Sequence, residues 1–160
     1  MPVPGTMGKI LVVDLTTGDM NFEQPSDDVY LKWLGGYGLG VHYLYKMIRP
    51  GIDPMGPDNV LGFFAGLLTG TGGITANRYV VVGKSPKTGG WGDANSGGTF
   101  GPALKGAGID GILFTGQSEQ SVYLLIRDGK AELLPTDGLW GLDTNETEDR
   151  IAELHGKSTH

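Results

Sequence analysis

The sequence predicts an α+β fold on three observations. Strand-like runs outnumber helical ones, strands and helices do not alternate regularly, and glycine-rich turns separate the runs. Glycine accounts for 29 of the 160 residues, against a usual share of about 7%. The glycines are clumped at Gly35–Gly36, Gly70–Gly73, Gly89–Gly92 and Gly97–Gly98, without a collagen period. Such clumps point to tight turns or to close approach of backbone to a ligand. With 39% hydrophobic residues, a chain of this length can bury about two-thirds of its unfolded surface in one core. Residues 1–160 are therefore expected to form a single domain.

Taken in order, Lys9 to Leu15 is aliphatic and β-branched and ends at Thr16-Thr17-Gly18-Asp19, a strand and turn leading into a return strand, Met20 to Glu23. Ser26-Asp27-Asp28 offers a helix start before Val29, Leu31, Trp33 and Leu34. Leu39, Tyr43, Leu44 and Met47 recur at helical spacing, so the segment is one helix or two separated at Gly35-Gly36. Asn59 to Ala65 and Tyr79 to Val82 read as strands, the second ended by a turn over Lys84 to Gly89. A short helix is predicted from Thr99 to Ala107, stopped by Gly108. Three strands follow, Gly111 to Thr115, Ser121 to Arg127 and Ala131 to Leu134, with an Asp128-Gly129 hairpin turn between the last two. Asp143 to Glu146 opens a final helix with Thr144 and Thr147 available as caps and Ile151 and Leu154 on one face.

The charge balance excludes several classes of function. A net charge of −6 and the lack of basic clusters argue against nucleic-acid and anionic-membrane partners. There is no cysteine, hence no disulfide, thiolate zinc site or Cys-ligated cluster within the chain. The first residues, MPVPGTMGK, lack the pattern of a secretory signal, and the Val60 to Gly73 stretch is too short to span a bilayer. A cytoplasmic protein is expected. His42 reads as a packed or surface side chain, and His155 and His160 as part of a frayed terminus. Asp27-Asp28 and Glu146…Glu148 sit where carboxylates complement a helix dipole. Trp33, Trp91 and Trp140 are expected to anchor the core.

Gly36-Tyr37-Gly38-Leu39-Gly40 imitates a dinucleotide fingerprint, but its third glycine is one place early and the preceding segment is helical. Close helix packing is the simpler reading. More informative is the gathering of Thr69, Thr71, Thr75, Asn77, Arg78, Lys84, Ser85, Asn95 and Ser96 in or beside glycine-rich turns. A phosphate-bearing ligand needs unhindered backbone N–H groups, hydroxyl donors and a cation, and Arg binds phosphate bidentately. The oxygen of an Asn side chain can also ligate Mg²⁺.

Phe64 to Thr71, Asn77-Arg78-Tyr79, Lys84 to Gly89, Ala94 to Gly98, Leu104-Lys105-x-Ala107-Gly108-x-Asp110, Leu139-Trp140-Gly141 and Glu146-Thr147-Glu148 occur in that order. The succession, over roughly residues 8 to 155, resembles the first domain of tungsten-containing aldehyde ferredoxin oxidoreductases. The resemblance implies two β-sheets with pseudo-twofold character and a few flanking helices, forming a base for a tungsten-bispyranopterin cofactor whose sulfurs hold the metal. By motif it implies that Arg78 lies between pterin and iron–sulfur cluster and that Asn95 sits at a Mg²⁺ joining the pterin phosphates. Gly97 matches a pterin-contacting backbone position, with Ser96 and Gly98 in the same loop. Leu67 and Ala76-Asn77 depart from the family pattern, and the larger Asn77 either crowds the pterin or adds a hydrogen bond to it. The implied reaction converts an aldehyde to a carboxylic acid and passes electrons through a 4Fe–4S cluster to ferredoxin. Cluster and substrate pocket would belong to absent domains or a Cys-rich partner subunit. The alternative is a non-enzymatic module that keeps the fold for cofactor binding or assembly.

Overall fold

In the computed structural model, which describes residues 3–157 and 159, the aliphatic run Ile10–Asp14 forms β1 and returns as β2 (Met20–Glu23). The Asp14 carboxylate accepts from the Thr16 backbone N–H at 2.8 Å and closes the turn between them. Two helices follow, α1 (Asp27–Trp33) and α2 (Tyr37–Met47), then β3 (Leu61–Ala65), β4 (Tyr79–Lys84) and β5 (Trp91–Ser96). Next come α3 (Phe100–Gly106), β6 (Gly111–Thr115), the hairpin of β7 (Val122–Arg127) and β8 (Lys130–Pro135), and α4 (Thr144–His155). The class is α+β, with a six-stranded sheet in the order β2-β1-β6-β3-β4-β5 and a two-stranded sheet of β7 and β8. β1 pairs parallel with β6, and the other pairings are antiparallel. Residues Met1–Ser118 and Glu119–His160 form two compact units.

The helical segment is two helices. A Cβ on Gly38 would fall 1.8 Å from the Trp33 carbonyl oxygen, so α1 and α2 approach backbone to backbone where only glycine fits. That is the packing use of the Gly36–Gly40 run, and no strand leads into it. Tyr30, Leu39, Tyr43 and Leu44 lie in one core with Ile10, Phe64, Val80, Val82 and Leu113 of the sheet. Neighbouring strand residues point to opposite faces. Accordingly Phe63, Phe114 and Tyr79 face away from that core, and Phe100 of α3 packs on Phe63 and Tyr79.

β5 is a strand that the sequence pattern did not mark. Asn95 and Ser96 lie at the end of this edge strand, beside the Gly97-Gly98 turn, because Trp91–Ser96 pairs in register with Tyr79–Lys84. The segment is poor in β-branched residues, so the ladder with β4 sets its conformation. Two tryptophans also depart from expectation. Trp33 packs against the core, whereas Trp91 is 41% and Trp140 80% exposed.

Asp110, 2% exposed, organises a buried polar knot. Its carboxylate accepts from the Met7 and Gly8 backbone N–H groups and the Tyr30 hydroxyl, each at 2.8 Å, and from Lys105 Nζ at 2.5 Å. Lys105 also donates to the Gly5 carbonyl at 2.6 Å. The Leu104 to Asp110 motif is thus a clamp joining the N-terminal segment, α1 and α3. Burial, reinforced by Asp110, holds the Tyr30 hydroxyl far above the ordinary tyrosine range.

In the second unit, Asp128 and Gly129 both take positive φ, 51° and 74°, the pattern of a type I′ hairpin turn. The α4 N-cap is Asp143 rather than Thr144: its side chain accepts from the Glu146 N–H at 2.9 Å, and Glu146 answers the Asp143 N–H in a capping box. His155 ends α4 engaged, its Nε2 2.8 Å from the Tyr123 hydroxyl, while His160 lies outside the described residues. Among the described residues no helix is long and apolar enough to cross a membrane.

Candidate functional site

The 66–78 loop positions Arg78 by its backbone. Thr69, 5% exposed, donates its hydroxyl to the Arg78 carbonyl at 2.5 Å, and the Gly66 N–H donates to the same oxygen at 3.1 Å. Gly70 N–H closes the loop onto Ala76 O at 3.0 Å. With its backbone held, Arg78 extends an exposed guanidinium from the start of β4.

Asn95 pairs with Val80 across the β4–β5 ladder. Cross-strand partners share a face, and Val80 belongs to the core beneath α2, so Asn95 emerges on the α2 side. There its Nδ2 donates to the Tyr37 hydroxyl at 2.9 Å, and its Oδ1 accepts from Arg78 Nη1. Guanidinium can only donate, which fixes the amide with Oδ1 toward Arg78 and Nδ2 toward Tyr37. Arg78, Asn95 and Tyr37 therefore converge on one exposed corner of the sheet.

Ser96 pairs with Tyr79 and by strand alternation lies on the opposite face, the Phe100 side. The structure therefore separates it from Asn95. Gly97 and Gly98 carry the chain from β5 into α3. Gly98 has φ +86° with nothing within 4 Å of a would-be Cβ, so glycine is required there by conformation. A Cβ on Gly97 would meet the Asn77 side chain at 3.4 Å, which places the larger residue at 77 directly against this turn.

Several other members of the polar gathering serve the loops instead. Lys84 Nζ donates to Ile52 O at 2.7 Å, Thr71 donates to Leu68 O at 2.8 Å, and Ser85 Oγ accepts from Thr88 N at 3.3 Å. His42 packs between Trp33, to which its ring is tilted, and Tyr43, which it meets edge-on. No group of three or more His, Cys, Asp or Glu suited to a metal occurs among the described residues. The available chemistry is a guanidinium, an amide, a phenol hydroxyl and glycine-lined backbone beside an edge strand, one side of which has no strand partner among the described residues. Those donors suit an anionic, phosphate-bearing group. Asn95 Oδ1 has a second lone pair beyond the one taken by Arg78, so it fits a Mg²⁺ ligand provided phosphate charge lies between the two cations.

Sequence reading missed Tyr37, which stands 58 residues from Asn95. Its only signal was a tyrosine inside a glycine run that fixes a helix start.

The family model described as aldehyde ferredoxin oxidoreductase, N-terminal domain, matches residues 10–160. A tungsten-containing aldehyde ferredoxin oxidoreductase of Thermococcus kodakarensis is 44% identical over 96% of the chain, which spans 26% of that protein. An aliphatic sulfonate oxidoreductase, WOR-like subunit, of Pyrococcus furiosus is 35% identical over 84% of the chain and 22% of its own length. Among solved structures, the active site complex BamBC of benzoyl coenzyme A reductase, in complex with 1,5-dienoyl-CoA, matches with a TM-score of 0.93 and 34% identity. That match covers 96% of this chain and 24% of the other. The chain thus spans about a quarter of the length of these relatives.

Proposed function

The chain belongs to the aldehyde ferredoxin oxidoreductase family, as its N-terminal domain, and from that premise we propose that it is the base on which a tungsten-bispyranopterin cofactor rests. The observation that carries the proposal is the convergence of Arg78 and Asn95 beside the Gly97-Gly98 turn. In this reading Arg78 donates to pterin or phosphate on the side facing the iron–sulfur cluster. Asn95 Oδ1 ligates the Mg²⁺ that joins the pterin phosphates, and the backbone at Gly97 and Gly98 approaches the pterin. Ser96 contributes through its backbone, since its side chain lies on the other face. Asn77 packs on the turn that meets the pterin and sets how closely the ligand approaches it.

When bound, the cofactor supplies a two-electron redox centre. The whole protein then oxidises a small-molecule aldehyde, with water, to a carboxylic acid and passes the electrons through a 4Fe–4S cluster to ferredoxin. Cluster and substrate pocket lie beyond residues 1–160, in the remaining domains or in a Cys-rich partner subunit, because this chain has no cysteine to ligate iron. Residues 1–160 form most of the N-terminal domain of that enzyme, which works in the cytoplasm without nucleic acid or membrane. The relatives' names cover aldehyde, aliphatic sulfonate and benzoyl coenzyme A chemistry. That spread supports a domain that carries cofactor while other parts of the protein choose substrate.

The test is metal and pterin analysis of protein purified from a tungstate-supplied host. Tungsten and pterin should co-purify with the wild type. Arg78→Ala should weaken retention roughly ten- to a hundredfold, since a charge-assisted hydrogen bond is worth about 1.5–3 kcal/mol. Wild-type protein without tungsten or pterin, or full retention by Arg78→Ala, would refute the assignment.

A further inference from the structure

We infer that Tyr37 is a further binding residue of this site: it orients the Asn95 amide and presents its own O–H to an anionic oxygen of the phosphate-bearing ligand. The inference rests on the cofactor reading above and adds a residue outside the motifs on which that reading stands.

The case starts from the amide. Arg78 only donates, so Asn95 Oδ1 is committed to it and Nδ2 must point the other way, where it meets the Tyr37 oxygen at 2.9 Å. Accepting that bond leaves the Tyr37 proton undirected by any protein acceptor among the described residues. The ring is 42% exposed at the first position of α2, on the same face as Asn95. A phenol hydroxyl at that place is a neutral donor free to turn toward the solvent side of a cationic corner, which is what a phosphate oxygen needs once Arg78 has set the charge.

The backbone holds Tyr37 there. Gly36 N–H donates to Ala65 O at 2.9 Å, and a Cβ on Gly35 would lie 3.0 Å from Leu67 N, so the start of α2 is seated on the end of β3. Trp91 and Val82 close against Gly40 one turn further on, at 3.5 and 3.0 Å from a would-be Cβ. Tyr37 thus reaches Asn95 from a fixed helix start, and the amide has two anchors instead of one. Without the hydroxyl, Arg78 alone holds the amide, and the direction of the Mg²⁺-competent oxygen is less tightly set.

The experiment compares Tyr37→Phe, Arg78→Ala and wild type in protein purified from a tungstate-supplied host. Tungsten, magnesium and pterin are measured per chain after extensive desalting. The Asn95 side-chain amide resonances are followed by NMR in the chain of residues 1–160. Tyr37→Phe keeps the exposed ring and should fold as wild type. It should shift the Asn95 amide resonances and lower magnesium and pterin retention about three- to tenfold. If Arg78→Ala loses cofactor while Tyr37→Phe retains it with unmoved amide resonances, the Tyr37 assignment falls and the cofactor reading stands. If wild type carries no pterin, or Arg78→Ala retains it in full, the cofactor reading itself falls and takes this inference with it.

Discussion

Asp110→Asn should be the most destabilising single-atom change in the first unit. The carboxylate is 2% exposed and accepts from two backbone N–H groups, the Tyr30 hydroxyl and Lys105 Nζ. An amide has one acceptor oxygen and a donor NH₂. If the oxygen stays at Oδ1 to meet Lys105, the NH₂ faces the Gly8 N–H at the Oδ2 position, 2.8 Å away in the native protein. If the amide turns, the NH₂ faces the Lys105 ammonium. Either way Lys105, 6% exposed, loses the opposite charge with which it is paired. Breaking a buried pair on one side costs about 3–5 kcal/mol, a large part of the roughly 5–15 kcal/mol that holds a domain together. Urea unfolding followed by circular dichroism measures the loss. Lys105→Met added to Asp110→Asn should recover at least about 1 kcal/mol relative to the sum of the single changes, because it removes the orphaned charge. A cost for Asp110→Asn below about 1 kcal/mol, or strict additivity in the double variant, would show that the knot does not act as a charge pair.

Three further outcomes follow from the same geometry. Gly38→Ala places a methyl 1.8 Å from the Trp33 carbonyl oxygen and should abolish soluble expression, whereas Gly106→Ala, with nothing within 4 Å, should leave the thermal midpoint unchanged or raise it; equal behaviour of the two in a melting assay would be the contrary result. The Tyr30 and Tyr43 hydroxyls are pushed above their ordinary range, chiefly by burial and then by Asp110 and Glu23 respectively. Unfolded tyrosines ionise from about pH 10, so this stability is complete below that pH and falls as pH rises above it; a urea midpoint that stays flat to about pH 11.5 would contradict the burial argument. Asp143→Ala removes the capping box of α4 and should cost about 1 kcal/mol, read as lost helical ellipticity at intermediate denaturant; an unaltered signal would mean that the cap contributes nothing to α4.

What the sequence made legible was local chemistry. Aliphatic β1 and the Asp128-Gly129 turn could be read because propensity and positive φ act within a few residues, whereas the sequence left open one helix or two about Gly35-Gly36. β5 could not, because Trp-Gly-Asp-Ala-Asn-Ser becomes a strand only by pairing with β4. Arg78 and Asn95 are legible as residue types, a phosphate donor and a Mg²⁺ ligand beside glycine-rich turns. Their contact across 17 residues, and that of Asn95 with Tyr37 across 58, depend on that same pairing and on where α2 starts. Asp110 was visible only as the last letter of a motif, since nothing local tells a clamp from a ligand.

The clamp and the site are joined through two residues. Ala65 N–H donates to Asp110 O at 2.9 Å, Ala65 O accepts from Gly36 N–H at 2.9 Å, and Gly66 N–H donates to Arg78 O at 3.1 Å. The end of β3 thereby ties the buried knot to the backbone beside Tyr37 and to that of Arg78, while the side chains of Tyr37, Arg78 and Asn95 remain exposed. Two kinds of substitution should therefore separate. Exposed side chains carry little stability, so changes at Tyr37, Arg78 or Asn95 should alter ligand retention with the unfolding midpoint nearly constant. A change at Lys105 or Asp110 should lower both together, because the knot supports the frame from which those side chains project. A backbone fixed from below with a polar rim left free is the arrangement expected of a preorganised binding corner, and a common loss of stability at all five positions would argue instead that the rim is structural.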